Sequence, residues 1–134
     1  MIKVVMAIIS NQKGQILIAK RPLEKSYGGL WEFPGGKVEK DETINEAVVR
    51  EIREELNILV QPTKYLPSFN HVTDRLLKIQ FFPIVCEWVD GAVFPNEHID
   101  TRWVNLAQLQ DYKFADPDYP VIASLQVSQV TQSQ

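Results

Sequence analysis

Residues 44–56 constrain the fold most, because they have the pattern of an amphipathic helix with defined ends. The preceding TINE predicts a capping box, in which the Thr43 hydroxyl and the Glu46 carboxylate satisfy free amides of the first turn. Asn57 tolerates the left-handed conformation that often ends a helix. At about 100° per residue, one side of this helix is apolar and carries Val48, Val49, Ile52 and Leu56. Such a helix requires another apolar layer to pack against.

Apolar, β-branched segments around this helix supply that layer. They predict strands at residues 2–9, 15–20, 31–33, 64–72, 76–88 and 101–104. NQKG and VDGAV have the composition of turns, and residues 119–127 predict a closing helix. The alternation of strands and helices favours an α/β domain with a mixed sheet, formed by residues 1–134 as one unit. The tail at residues 127–134, VSQVTQSQ, is expected to be weakly ordered.

Composition and charge exclude several classes of protein. At 134 residues and 45% hydrophobic content the chain is suited to one globular domain. Its 14 Lys+Arg against 17 Asp+Glu, without a basic run, argue against binding duplex nucleic acid or an anionic membrane. The first residues lack the features of a signal peptide and no window reaches transmembrane length, so we expect a cytoplasmic protein. A single cysteine, Cys86, excludes an internal disulfide and is expected in the core.

Three glutamates share a second side of the predicted helix. Glu51, Glu54 and Glu55 lie three and four positions apart, where like charges destabilise an isolated helix by a few tenths of a kcal/mol per pair. A divalent cation such as Mg²⁺ or Mn²⁺ would neutralise them, since these ions prefer hard oxygen ligands. Alternatively, the side is simply solvated and Arg50 and Arg53 supply compensating charge. The helix alone does not decide between these interpretations.

The preceding loop, FPGGK, brings two glycines before the helix. There backbone carbonyls can approach a cation closely, although a tight turn is an equally ordinary role. Gly36, five residues, Glu42, seven residues and then REIREELNI resemble the Nudix box, which the chain matches at Arg50, Glu51, Ile52, Glu54, Glu55 and Ile58. The one departure is Asn57 where that family has glycine, a small change because asparagine also tolerates positive φ. The resemblance implies the Nudix fold, a mixed sheet sandwiched between helices (α/β/α).

The same resemblance implies a reaction, the hydrolysis of a nucleoside diphosphate linked to another group with Mg²⁺ or Mn²⁺. By position it assigns metal ligation to Glu51, Glu54 and Glu55, with the Gly35 carbonyl as a further candidate. Arg50 is expected to orient a glutamate rather than contact substrate, since Glu46 and Glu54 lie at i−4 and i+4.

Beyond the box, the chain is similar to the MutT branch and to bacterial CTP pyrophosphohydrolases, through ILIAKRP, GLWEFPGGKVE, NEHIDTRWV and ADPDYPVI. This similarity implies that Arg21 contacts phosphate and that Glu97 contacts metal or the attacking water. The alternatives are a surface arginine and an exposed turn glutamate. Phe33 is expected either beside a base or in the core. His71 and His98 are expected to be loop or surface residues rather than ligands, since hard metals favour oxygen.

Asp118 is the position most informative about the base. The MutT branch tends to have asparagine there, whereas the CTP-preferring relatives have aspartate. An ionised Asp118 only accepts, which favours an amino group such as that of cytosine or adenine, whereas a carboxyl protonated by burial could also donate. Its alternative role is the N-cap of the closing helix.

The sequence therefore predicts a nucleoside triphosphate pyrophosphohydrolase that releases a nucleoside monophosphate and pyrophosphate, with modified or pyrimidine nucleotides as substrates in nucleotide-pool sanitation. The alternatives are another nucleoside diphosphate-linked substrate, such as a dinucleoside polyphosphate, ADP-ribose or capped RNA, or a catalytically silent nucleotide-binding domain. The intact glutamate set argues against silence. An ionised Asp118 predicts that CTP or a modified pyrimidine triphosphate is hydrolysed at least as efficiently as 8-oxo-dGTP. The sequence does not rank the individual bases further, and the choice between monomer and homodimer stays open.

Overall fold

The computed structural model describes the backbone of residues 1–133 and the side chains of residues 1–126. Its strands and helices, in chain order, are β1 Ile2–Ser10, β2 Ile16–Lys20, β3 Trp31–Glu32, β4 Gly35–Lys37, α1 Ile44–Leu56, β5 Leu59–Tyr65, β6 Phe69–Val72, β7 Lys78–Asp90, β8 Asp100–Val104 and α2 Tyr119–Ser133. Two short 3₁₀ segments, Leu106–Asp111 and Asp116–Asp118, connect β8 to α2.

All of these strands belong to one sheet. Its central order is β3-β2-β1-β7-β5, and β4 pairs with β1, β6 with β7 and β8 with β2. β1 and β7 run parallel, from Ile2 opposite Ile79 to Ser10 opposite Glu87, and the other pairs are antiparallel. The prediction of a mixed sheet is confirmed.

Strand β1 is buried on both faces, so its side chains feed two cores. Alternate residues of a strand point to opposite faces. One core joins Val5, Ala7 and Ile9 of β1 to the apolar side of α1, formed by Ala47, Val48, Ile52 and Leu56. The other joins Met6 and Ile8 to Phe33, Phe114, Val121 and Ile122, the last two from α2. One helix therefore covers each face, which confirms the α/β/α arrangement.

The ends of α1 follow the predicted caps. The Thr43 hydroxyl accepts from the Glu46 amide (3.1 Å), and the Glu46 carboxylate accepts from the Thr43 amide (2.9 Å). Asn57 ends the helix in the left-handed conformation, at φ 60° and ψ 30°. Because both ends and the apolar side are fixed, the direction of the glutamate side is fixed as well.

Two elements differ from the sequence prediction. The strand predicted at 64–72 is split into β5 and β6, which both pair with the 13-residue β7. The break falls around Pro67, which has no amide to donate to a ladder. The FPGGK segment is not simply a turn, because Gly35–Lys37 form β4 against β1. A β-carbon on Gly35 would collide with the carbonyl of Val5, so this pairing requires glycine.

The carboxyl-terminal helix is longer than predicted, since the backbone is helical to Ser133. The expectation of a weakly ordered tail falls on residues 127–134, whose side chains lie outside the described part of the structure, as does Gln134 entirely. Among the helices described, none combines the length and the apolar character needed to cross a membrane.

Candidate active site

A cleft of about 420 Å³ lies where β1, β4 and α1 meet the loops that follow β2 and β6 and precede β8 and α2. It collects most of the residues expected from the sequence. Those that line it are Arg21, Phe33, Gly35, Glu51, Glu55, Glu97 and Asp118. Glu54 and Arg50 are outside this lining, on the neighbouring surface of α1.

Glu51 is positioned by its contact with strand β4. A β-carbon on Gly36 would overlap the Glu51 carboxylate, so the second glycine makes room for this side chain. The carboxylate is 15% exposed. Burial raises the pKa of Glu51 above its ordinary value, and the neighbouring Arg50 partly opposes this change. The absence of a side chain at Gly36 therefore leaves the space that the Glu51 carboxylate occupies between β4 and α1.

Arg50 fixes the carboxylates rather than entering the cleft. Its guanidinium binds Glu42 through two hydrogen bonds, Nε to Oε2 (2.6 Å) and Nη2 to Oε1 (2.9 Å). Nη1 donates to Glu51 (3.0 Å) and Glu54 (3.2 Å). The contact with Glu54 follows the predicted i+4 spacing, whereas Glu46 is occupied by the capping box. Glu42, to which sequence reasoning gave no role, anchors this arginine.

Glu55 is the most unusual carboxyl group of the site. Its Oε2 atom is buried without a hydrogen-bond partner among the described residues. Burial, reinforced by the negative charges of Glu32 and Glu51, raises the pKa of Glu55 to about 9. Arg21 opposes this shift only in part. A buried acceptor left without a partner costs free energy, so the site is built for a group that this oxygen can bind.

Asp118 also lines the cleft and is 3% exposed. Its Oδ1 accepts a hydrogen bond from the Phe33 amide (2.8 Å), which ties the 3₁₀ segment before α2 to the residue that follows β3. The side chain is therefore bonded to Phe33, and among the described residues it makes no hydrogen bond with the first turn of α2. Burial raises the pKa of Asp118 well above its ordinary value, with a further contribution from Glu32. The carboxyl group is therefore biased towards its protonated form.

Phe33 is 2% exposed and packs on Phe114 at 5.6 Å between ring centroids. Its ring belongs to the core while the residue also lines the cleft. The position of Phe33 is therefore compatible with both roles expected from the sequence, lying beside a base and packing in the core.

Sequence reasoning missed a chain of hydrogen-bonded polar side chains that also line the cleft. Arg21 donates from Nη1 to Glu32 Oε1 (2.7 Å) and from Nε to the Ser26 carbonyl (2.6 Å). The other Glu32 oxygen lies 2.8 Å from His98 Nε2. His98 lies in the loop before β8, one of the two places expected for it, but its side chain is 6% exposed and therefore not on the surface. Glu32 lies between Trp31 and Phe33, and its polar character in that aromatic strand is the signal that could have identified it.

The remaining predicted residues are at the periphery. Glu97 lies at the cleft with its side chain 65% exposed and paired with Lys25 (Oε2 to Nζ, 2.8 Å). This pairing lowers the pKa of Glu97. His71 is outside the cleft lining and contacts the Tyr27 hydroxyl at 3.2 Å.

Comparison with known proteins identifies the family of this fold. The NUDIX domain family matches residues 2–125, so the chain belongs to the Nudix family. It is 37% identical over 123 residues to the CTP pyrophosphohydrolase of Escherichia coli K12, covering 91% of this chain and 89% of that protein. It is 32% identical over 125 residues to the 8-oxo-dGTP diphosphatase of the same organism, covering 92% of this chain and 95% of that protein.

Solved structures give the same result. The solution structure of the E. coli ORF135 protein has a TM-score of 0.82 and 34% identity, covering 97% of this chain and 91% of that chain. The MutT protein from Methanosarcina mazei Go1 has a TM-score of 0.77 and 30% identity, covering 87% of this chain and 85% of that chain.

Nudix hydrolases generally need a divalent metal ion. In the part of the chain whose side chains the structure describes, no three His, Cys, Asp or Glu side chains are grouped so that they could hold a metal ion together. Arg50 holds Glu51 and Glu54, and Glu54 is 59% exposed. The donor chemistry nevertheless fits a hard cation, because the α1 carboxylates and the Gly35 carbonyl are all oxygen ligands. The unpartnered Glu55 Oε2 supports the same conclusion.

Proposed function

We propose that this chain hydrolyses nucleoside triphosphates to a nucleoside monophosphate and pyrophosphate, with Mg²⁺ or Mn²⁺ as cofactor. The observation that carries the proposal is that one cleft is lined by two chemically different groups of residues. Glu51 and the unpartnered Glu55, with Glu54 beside the cleft, are here called the carboxylate end, and the buried Asp118 with Phe33 is called the base end. The first suits a metal-bound polyphosphate and the second suits a base. The names of the E. coli relatives support this substrate class.

The residues of the chain have distinct roles in this proposal. Glu51, Glu54 and Glu55, with the Gly35 carbonyl, hold the cation, which when bound polarises the phosphoanhydride and lowers the pKa of a water molecule. Arg50 keeps Glu51 and Glu54 in position through hydrogen bonds of 3.0 and 3.2 Å. Arg21 offers a guanidinium to a phosphate, and Glu97 contacts the cation or orients the attacking water. Glu55 must lose its proton before it can ligate, since its pKa is about 9.

Base selection follows from the protonation of Asp118. Its Oδ1 is fixed by the Phe33 amide, and among the described residues the other oxygen makes no hydrogen bond, so we assign it to the base. A protonated carboxyl group donates from that oxygen, which suits an acceptor such as O6 of an oxidised guanine. An ionised group would instead accept from the amino group of cytosine. Because burial raises the pKa of Asp118, we propose a broad sanitising enzyme that hydrolyses 8-oxo-dGTP at least as efficiently as CTP.

The test is product analysis on a substrate panel with Mg²⁺ and with Mn²⁺. The panel contains CTP, 8-oxo-dGTP, 2-hydroxy-dATP, ADP-ribose, a dinucleoside polyphosphate and capped RNA. We expect the nucleoside triphosphates to yield pyrophosphate and a nucleoside monophosphate. Their kcat/KM values should be the highest of the panel. A higher kcat/KM for a diphosphate-linked substrate would overturn the substrate class. Nucleotide binding without any turnover would identify a silent domain.

The proposed compartment is the cytoplasm, where such a substrate pool is present. The proposed assembly is a monomer or a homodimer, which sedimentation of the purified chain distinguishes.

A further inference from the structure

The loop of residues 22–29, here the cleft loop, is held in one shape by its own backbone. The Arg21 amide donates to the Leu30 carbonyl (2.9 Å), and the Gly29 amide donates to the Arg21 carbonyl (3.0 Å). Gly29 has a φ of +78°, which favours glycine. A β-carbon on Gly28 would collide with the backbone of the same loop. The side chains of the cleft loop are therefore presented from a defined position.

A second set of contacts ties the cleft loop to the turn between β6 and β7. The Tyr27 amide donates to Asp74 Oδ2 (3.3 Å), and the Asp74 amide donates to the Tyr27 hydroxyl (3.1 Å). The Ser26 hydroxyl also donates to the Asp74 carboxylate. The residue just before this anchor, Lys25, lines the cleft.

Lys25 differs from Arg21 in how its charge is used. Arg21 is 23% exposed and donates to the 15% exposed Glu32 and to a backbone carbonyl. Lys25 is 49% exposed, and among the described residues its ion pair is with the 65% exposed Glu97. Water and salt screen such an exposed pair strongly, so the Lys25 ammonium can change partner at little cost. The four-carbon stem of lysine also allows the ammonium to move.

The place of this ion pair favours the polyphosphate over the base. The backbone amide of Asn96, the residue before Glu97, donates to the Glu55 carbonyl (2.9 Å), so the segment that carries Glu97 is attached to α1 beside its carboxylates. Asp118 is instead bonded to the Phe33 amide (2.8 Å). A polyphosphate in the cleft would therefore lie closer to Lys25 than the base would.

We propose that Lys25 binds the pyrophosphate portion of the substrate, exchanging its ion pair with Glu97 for a phosphate oxygen. This inference rests on the proposed hydrolysis of nucleoside triphosphates, and it adds a substrate-binding residue from the cleft loop. A mobile ammonium suits this role, because it is a point charge with three donors. Release of Glu97 in the same exchange would free that carboxylate for the cation or the water.

The test compares Lys25→Met with Lys25→Arg, and with Lys13→Met as a control for the loss of an exposed lysine in the β1–β2 turn. Calorimetry on the full chain with Mg²⁺ measures the affinity for inorganic pyrophosphate and for CMP. We expect Lys25→Met to weaken pyrophosphate about tenfold, with CMP unchanged within about twofold. KM for the triphosphate should rise about tenfold with kcat within about threefold, and Lys25→Arg should restore most of the loss. Lys13→Met should change neither affinity.

Unchanged pyrophosphate affinity in Lys25→Met would overturn the inference. Equal weakening of pyrophosphate and CMP, or an Lys25→Arg variant as impaired as Lys25→Met, would also overturn it, since a general effect on the loop would then explain the result. The proposed function fails by a different result, a wild-type chain that releases no pyrophosphate from any nucleoside triphosphate. The pyrophosphate affinities still decide the role of Lys25 in that case.

Discussion

The carboxylate end and the base end of the cleft are built in opposite ways. The carboxylate end comes from one continuous segment, with the glycines of β4 and the glutamates of α1 held by Arg50. The base end joins residues far apart in the chain, since Asp118 binds the amide of Phe33, 85 positions away. His98 and Glu32 meet across 66 positions.

The difference explains how such a site can change its substrate and keep its reaction. Charge placement at the carboxylate end depends on helical spacing and on a local glycine contact. Selectivity at the base end depends on long-range packing and on burial, which sets the protonation of Asp118. A substitution at the first end should alter the rate, whereas one at the second should alter the choice of base.

The largest effect is expected for Glu54→Gln, which tests whether the carboxylate end extends beyond the lining of the cleft. Loss of one negative ligand should lower kcat by about a hundredfold or more with Mg²⁺, because the cation is held and polarised less well. Glu87→Gln, an exposed change of equal charge on β7, is the control and should leave kcat unchanged. Activity within about threefold of wild type would remove Glu54 from the metal ligands.

A second prediction concerns Glu55 and pH. Its pKa is about 9 in the folded protein against an ordinary 4.5, so deprotonation opposes folding. Without divalent cations, the contribution of Glu55 to stability should therefore be lost progressively as the pH rises from about 5 towards about 9. Glu55→Gln removes this contribution, so its decline over this range should be shallower and its Tm should exceed that of wild type increasingly with pH.

Thermal unfolding in EDTA at several pH values measures this difference. Parallel Tm profiles for the two proteins would contradict the buried, unpartnered state of Glu55. Addition of Mn²⁺ should recover wild-type stability at high pH but have less effect on Glu55→Gln, because binding requires the ionised carboxylate.

A smaller effect is expected at Asn57, where α1 ends. Asn57→Ala places an ordinary side chain at φ 60° and removes the bond from Nδ2 to the Phe94 carbonyl (2.8 Å), so it should cost about 1–2 kcal/mol in urea unfolding. Asn57→Gly suits the left-handed conformation and should lie closer to wild type. Equal stability of Asn57→Ala and wild type would show that this cap contributes nothing.

The smallest effect is expected for Asp118→Asn, which tests whether Asp118 at the base end is protonated or ionised. A protonated aspartate and an asparagine both accept from the Phe33 amide and donate from the other atom. The ratio of kcat/KM for 8-oxo-dGTP to that for CTP should therefore stay within about threefold. An ionised Asp118 predicts instead a shift of about tenfold towards 8-oxo-dGTP, the scale of one hydrogen bond. Steady-state kinetics on both substrates decides between these states.

Much of the fold was predictable because local patterns specify it. The limits of α1, its capping box and its left-handed end all follow from side chains near them in sequence. Strands β1, β2 and β8 were found within about two residues of their ends, since apolar β-branched segments favour strands whatever they pair with. The pairing of Gly35–Lys37 with β1 was not predictable. Two glycines show only that side chains are absent from this segment, and they do not specify which strand packs against it.

The sequence by itself determined the charged side of α1 and the family to which the chain belongs, because fixed spacing along a helix is fixed geometry. Only the tertiary structure decided which polar groups are buried and which glycine contacts Glu51. Burial separated Glu55 from the exposed Glu54, enclosed His98 against Glu32, and brought Asp118 to a hydrogen bond with Phe33. Solvation depends on every element packed around a group, so the protonation of a residue is a property of the whole fold.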